Sequence, residues 1–106
     1  MRQEQTMKPD EEMTPREHFE REVGVIGFEE LQKHFAKGIL IKVDSHLDLI
    51  EAAVQIHTDN ADQIKLWMDQ GQLVRAHDEH AKIWIADRTE LQAVTVAPWV
   101  LVQEKN

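Results

Sequence analysis

His77 and His80 lie three residues apart, a spacing that places two imidazoles on one face of a helix. Zinc and other divalent metals accept imidazole together with carboxylate, and Asp44 or Asp48 could supply a further ligand from elsewhere in the chain. The same pair also fits an ordinary helix start, in which the two acidic residues between the histidines meet the positive end of the helix. Because no HExxH pattern is present, this second interpretation is favoured.

A second candidate metal site combines Asp44, His46 and Asp48. Alternate side chains of an extended loop point the same way, so these three could bind a cation. Turn residues followed by a first-turn carboxylate explain the same sequence, and that explanation is again favoured. His57 and Asp59 could form a general base with its orienting carboxylate, but no nucleophile in an activating context accompanies them.

The three tryptophans are expected to differ in role. Trp67 recurs with Ile64 and Met68 at helical spacing, and Trp84 with Ala81 and Ile85, which predicts core positions for all six. Trp99 begins an apolar segment in which alternate side chains face opposite sides of a sheet, so both faces must be covered, by helices or by another subunit. Trp99 and Leu101 are therefore candidate interface residues. Since truncating a buried Trp costs about 3–5 kcal/mol, the sequence also predicts that Trp99→Ala largely unfolds the chain.

Composition excludes several classes of chemistry. The chain has no cysteine, which removes disulfides and thiolate sites, and its four glycines form no phosphate-binding loop. Its net charge of −8 disfavours nucleic acid and anionic membranes as partners. No cofactor is predicted. The longest mainly apolar run, residues 93–102, is about half of what a membrane helix needs, and the N-terminus lacks a secretory signal, so a cytoplasmic location is expected.

Periodicity and capping residues predict one α+β domain over residues 14–104, preceded by a disordered tail, residues 1–13. The predicted helices cover residues 15–23, 28–37, 59–70 and 78–87; the first starts with a capping box of Thr14 and Glu17 around Pro15, and the last is capped by Asp78. The predicted strands cover residues 39–43, 91–96 and 99–102, with a short extended piece at 73–74. Residues 47–56 fit either a helix, slightly better and with Ser45 and Asp48 as a possible capping box, or the second strand of a hairpin.

Several blocks of the sequence resemble a family of small bacterial proteins, domain of unknown function 2288. The blocks are Leu47-Asp48-Leu49-Ile50-Glu51, Asp59-Asn60 with Trp67, Gly71-x-Leu73, and Ala97-Pro98-Trp99-Val100-Leu101-Val102-Gln103. The resemblance implies a bacterial, cytoplasmic, stand-alone domain and carries no activity or site residues. The family has polar residues other than histidine near positions 77 and 80, which argues against a site built on those two.

Two functions from different classes follow. The first is a non-enzymatic interaction module that binds a protein partner or a second copy of itself, through the C-terminal strand or an acidic helical face. The second is a small metal- or ligand-dependent enzyme that uses His77, His80 and a carboxylate such as Asp44 or Asp48. The first is preferred because no complete catalytic constellation is present.

Overall fold

A computed structural model describes residues 13–105. Their elements are α1 (Pro15–Glu22), β1 (Gly24–Ile26), a 3-10 turn (Phe28–Glu30), α2 (Gln32–Ala36), β2 (Leu40–Val43), α3 (Leu49–His57), α4 (Ala61–Asp69), β3 (Leu73–Arg75), α5 (Asp78–Asp87), β4 (Leu91–Val96) and β5 (Trp99–Glu104). The predicted α+β class is confirmed. Apart from Met13, the predicted tail lies outside the described residues. No helix in the described part has the length and apolar character to cross a bilayer.

The five strands form one mixed sheet in the order β1-β4-β5-β2-β3. β5 lies at its centre, antiparallel to β4 and parallel to β2, and the other neighbouring pairs are antiparallel. Because β4 and β2 occupy both edges of β5, this strand cannot extend the sheet into another subunit.

Helices cover both faces of the sheet. On one face, α1, α3 and α4 enclose a core that includes Phe19, Trp67 and Leu101. On the other, the 3-10 turn and α5 help to enclose a second core that includes Trp84 and Val102. Leu101 and Val102 are both completely buried, on opposite faces. The predicted two-sided burial of β5 is thus confirmed, and it arises within one chain. Leu101, a candidate interface residue by sequence, packs here in the core between the sheet and the helices of one face.

Capping residues decide where the helices begin. Thr14 and Glu17 form the predicted capping box at the start of α1, where Pro15 occupies the first turn. The ambiguous residues 47–56 form helix α3, because Asp48 accepts hydrogen bonds from two backbone N–H groups of the first turn. The sequence indicated Ser45 as this cap, three residues too early. α5 is capped by His77 rather than by the predicted Asp78.

Three other expectations fail for geometric reasons. Residues 28–37 do not form one helix, because the 3-10 turn ends before α2 starts. Gly24 was expected only to end the first helix, yet it begins the edge strand β1, which pairs with β4. Met68 and Ile85 were expected to face inward, but they are 58% and 59% exposed. α5 buries only the narrow stripe of Ala81 and Trp84, and Ile85, about 100° further around the axis, faces away from the sheet.

Candidate functional site

His77 and His80 form a reciprocal cap at the start of α5. Nδ1 of His77 accepts from the backbone N–H of Glu79 at 3.3 Å, and Nδ1 of His80 accepts from the backbone N–H of His77 at 3.2 Å. The two ring centroids are 4.0 Å apart. A ring nitrogen can accept only when it carries no proton, so these two contacts require hydrogen on Nε2 rather than on Nδ1 of each ring. The pair acts here as a histidine version of the capping box.

His80 lies between the helix and the sheet. Its ring stacks on Trp84, with 5.8 Å between centroids. Burial lowers the pKa of His80 below its ordinary value, and the nearby His77 and Lys42 lower it further, while Glu104 acts in the opposite direction. Glu104 is itself engaged, because its Oε2 accepts from Nε1 of Trp84 at 2.8 Å.

This arrangement makes the stability of α5 depend on pH. Because the folded-state pKa of His80 is depressed, its contribution to stability is complete above the unfolded value of about 6.5 and is lost as the pH falls through the folded value. Protonation of His80 also removes its Nδ1 as the acceptor for the backbone N–H of His77. We expect the free energy of unfolding, measured by urea denaturation, to fall by about 1 kcal/mol between about pH 8 and about pH 5.

A double variant, His77→Asp with His80→Glu, provides the control, since it rebuilds an ordinary capping box from carboxylates. Its carboxylates stay ionised above about pH 5, so its stability should vary less with pH over the same range. Equal pH dependence of stability in the parent and the double variant would contradict the assignment of this dependence to the cap of α5, because other histidines would then cause it.

The structure separates Asp48 from the other two residues of the second candidate metal site, Asp44 and His46. Oδ2 of Asp44 accepts from the backbone N–H of His46 at 2.9 Å, which lowers the pKa of Asp44, and it also lies 3.1 Å from the His46 ring. Asp48 instead caps α3 and pairs with Arg16 at 2.9 Å. The loop is held by the buried amide of Gln103, which donates to the carbonyl of Asp44 at 2.7 Å. Asp44 and His46 thus stabilise a turn, and Asp48 caps a helix.

No group of three or more His, Asp or Glu side chains within residues 13–105 is arranged to hold a metal ion. The expected pairing of His57 with Asp59 is replaced by different surroundings for each. His57 packs edge-on against Phe19, with 5.6 Å between ring centroids. Asp59 contributes to the wall of a pocket. The geometry therefore gives the acid–base and metal hypotheses no assembled centre in this part of the chain.

The pocket beside Trp99 has a volume of about 450 Å³ and lies where α3, α4 and the β3 edge of the sheet meet. A volume of this size is within the usual range for ligand pockets. Its lining is mainly apolar, with one carboxylate and one guanidinium; the residues are Ile41, Ile56, Asp59, Ile64, Met68, Leu73, Val74, Arg75 and Trp99. Trp99 is half-buried, packed on one side against the core of α1, α3 and α4. We call this feature the Trp99 pocket.

Two tight turns shape the Trp99 pocket. Asp59 has a φ of 58° and connects α3 to α4, a left-handed conformation that Asp tolerates better than most residues. Asn60 then caps α4 by accepting from the backbone N–H of Gln63. Gly71, with a φ of 76°, turns the chain from α4 into β3. The two turns thus hold α3 and α4 over the edge of the sheet, and the space between these helices and the sheet is the pocket.

Among the pocket residues, sequence reasoning singled out Trp99 as a candidate interface residue and Asp59 as the partner of His57. Ile41 was expected to be a buried strand residue, and Ile64 and Met68 were expected to form a core stripe. The overlooked signal is Met68, which completes an apolar stripe although it lies in the last turn of a helix beside a glycine turn, where the core no longer covers it. Arg75, the last residue of the edge strand β3, gave no signal by type or spacing.

Comparison with known proteins identifies the chain's relatives. The sequence profile of a family described as "Protein of unknown function (DUF2288)" matches residues 14–104. The fold is similar to the NMR solution structure of PA1075 from Pseudomonas aeruginosa, with a TM-score of 0.78, 34% sequence identity and coverage of 94% of each chain. No curated protein matches. The chain belongs to the DUF2288 family.

Proposed function

We propose that the protein is a non-enzymatic interaction module that receives an apolar side chain of a protein partner in the Trp99 pocket. The observation that carries this proposal is the pocket itself, about 450 Å³ of mainly apolar lining that includes Trp99 and Arg75. Tryptophan and arginine are the residue types that most often dominate binding energy at protein interfaces. An apolar anchor would gain from leaving water there, and the two charged residues would restrict its orientation.

The surroundings of the pocket favour a macromolecular partner. Met68 lines the pocket and is 58% exposed, so an apolar side chain stays open to solvent at the rim of the pocket. Exposed apolar surface that surrounds a pocket is typical of protein interaction sites. The other hypothesis, an enzyme using His77 and His80, has no observation in its favour, since both imidazoles already serve as helix caps.

Peptides selected on the immobilised protein from a phage-displayed library of random dodecapeptides provide a defined probe. We expect selection to yield peptides with a Kd below about 100 µM. In 15N-resolved NMR titrations, these peptides should shift the amide signals of Leu73, Val74 and Arg75 and the indole signal of Trp99. If the library yields no such binder, or if the shifts map to another surface, the proposal is wrong.

Two substitutions on α4 then separate the pocket from the surrounding surface. Met68→Gln places an amide in the pocket lining, whereas Leu66→Gln makes the same kind of change at a comparably exposed position outside the lining. We expect Met68→Gln to weaken binding of a selected peptide about tenfold, which corresponds to roughly 1.4 kcal/mol of lost apolar contact. Leu66→Gln should change the Kd by less than about threefold. Equal losses would contradict the pocket as the anchor site.

A further inference from the structure

The wall of the Trp99 pocket carries two charges of opposite sign on different elements. Arg75 is the last residue of β3, and Asp59 lies in the connection between α3 and α4. Both residues are exposed. Within residues 13–105, neither side chain forms an ion pair, with the other or with any further residue. Each charge is therefore available to a ligand that occupies the pocket.

The side chain of Arg75 stands on the pocket side of the sheet. Arg75 faces Ile41 across the ladder between β2 and β3, and Ile41 lines the pocket. Directly opposed residues of an antiparallel pair project from the same face of the sheet. The methylene groups of an arginine can cover apolar lining while its guanidinium reaches solvent. A guanidinium in this position offers two parallel N–H donors to a carboxylate of the ligand.

Asp59 has the opposite preference. It contributes to the pocket wall from a tight turn, in which its φ is 58°. A carboxylate at this place favours a lysine or arginine side chain of the ligand. Charges separated by more than about 8 Å are largely screened at physiological ionic strength. The local charge of each residue, rather than the net charge of −8, therefore decides which side chain lies beside it.

We propose that the partner's apolar anchor is flanked by an acidic side chain that pairs with Arg75 and by a basic side chain that lies beside Asp59. This inference rests on the proposed function and specifies the chemistry of the partner segment. Exposed ion pairs contribute little affinity, so the apolar contacts hold the segment and the two charges select which segments fit and in which direction. A second copy of this chain is a less favourable occupant, because two copies with a net charge of −8 repel each other.

Double-mutant cycles between the protein and a selected peptide test the contact with Arg75. We expect selected peptides to carry one acidic and one basic residue near the apolar anchor. Arg75→Glu should weaken binding about fivefold, and changing the acidic residue of the peptide to lysine should restore most of the affinity for this variant. Arg21→Glu makes the same change at an exposed position outside the lining, and it should change the Kd by less than about twofold.

Asp59→Asn tests the other contact, because asparagine tolerates the left-handed backbone conformation found there. It should weaken binding of the selected peptide about threefold, and it should have almost no effect on a peptide whose basic residue is changed to glutamine. Asp62→Asn removes the same charge from an exposed position outside the lining, so it should leave the Kd within about twofold of the parent value.

Other outcomes overturn distinct parts of the proposal. Peptides whose binding is weakened by Met68→Gln, but which show no coupling in either cycle, overturn the charge assignment and leave the proposed function standing. Coupling at Arg75 alone, or at Asp59 alone, overturns the half of the assignment that shows none. A concentration-dependent dimer in sedimentation that Arg75→Glu abolishes overturns the choice of occupant. Failure of every selected peptide to reach the pocket overturns the proposed function as well.

Discussion

Replacing Trp84 with alanine should remove most of the chain's free energy of unfolding at 25 °C. Trp84 is 1% exposed and belongs to the core between α5 and the sheet, where it also packs against Phe28. Truncating such a side chain costs about 3–5 kcal/mol through lost transfer free energy and the cavity left behind. The change also removes the Nε1 donor from the half-buried carboxylate of Glu104. A domain of this size has roughly 5–10 kcal/mol of stability, so most of it would be lost.

Ile85→Ala is the matched control, because Ile85 follows Trp84 on the same helix and is 59% exposed. We expect this substitution to change the free energy of unfolding by about 0.5 kcal/mol or less. Urea denaturation followed by far-ultraviolet circular dichroism measures both variants. A Trp84→Ala protein with a near-native midpoint would show that the core around α5 can collapse around the deletion.

The sequence predicted the elements whose local signals agree with their packing. Thr14, Pro15 and Glu17 predicted the start of α1 because a capping box satisfies backbone donors locally, with no help from the tertiary structure. The apolar segment from Trp99 likewise predicted a strand with both faces buried, since alternation is a property of the strand itself. Such features depend on a few neighbouring residues and can be predicted from them.

Features that depend on distant neighbours could not be predicted in this way. β1 is a strand only because residues 24–26 align with β4, almost 70 positions later in the chain. His77 replaces Asp78 as the cap of α5. Because a carboxylate is the commoner cap, residue type alone favours Asp78. The Trp99 pocket combines β2, β3, β5 and the connection between α3 and α4. Most of its lining residues are ordinary core residues by type. Only the way in which the helices pack over the sheet edge leaves space between these residues.

Replacing Trp99 with alanine should weaken both stability and binding while leaving the chain folded. The sequence alone predicted unfolding, on the premise that this side chain is fully buried. In the structure Trp99 is half-buried, with one side against the core and the other in the pocket. We therefore expect a loss of about 2 kcal/mol in the free energy of unfolding, less than the cost of truncating a fully buried Trp. Binding of a pocket-selected peptide should weaken at least about tenfold, as for a central aromatic contact.

The comparison with Trp84→Ala makes the two roles of tryptophan measurable. Trp99→Phe serves as the second control, because it retains a ring in the pocket while removing the indole N–H, and it should keep most of the stability and part of the binding. A Trp99→Ala protein that unfolds as readily as Trp84→Ala would restore the purely structural role that the sequence suggested. If Trp99→Ala instead remained folded and bound the selected peptide as tightly as the parent, the half of the indole that faces the pocket would have no part in recognition, and the Trp99 pocket would lose its anchor.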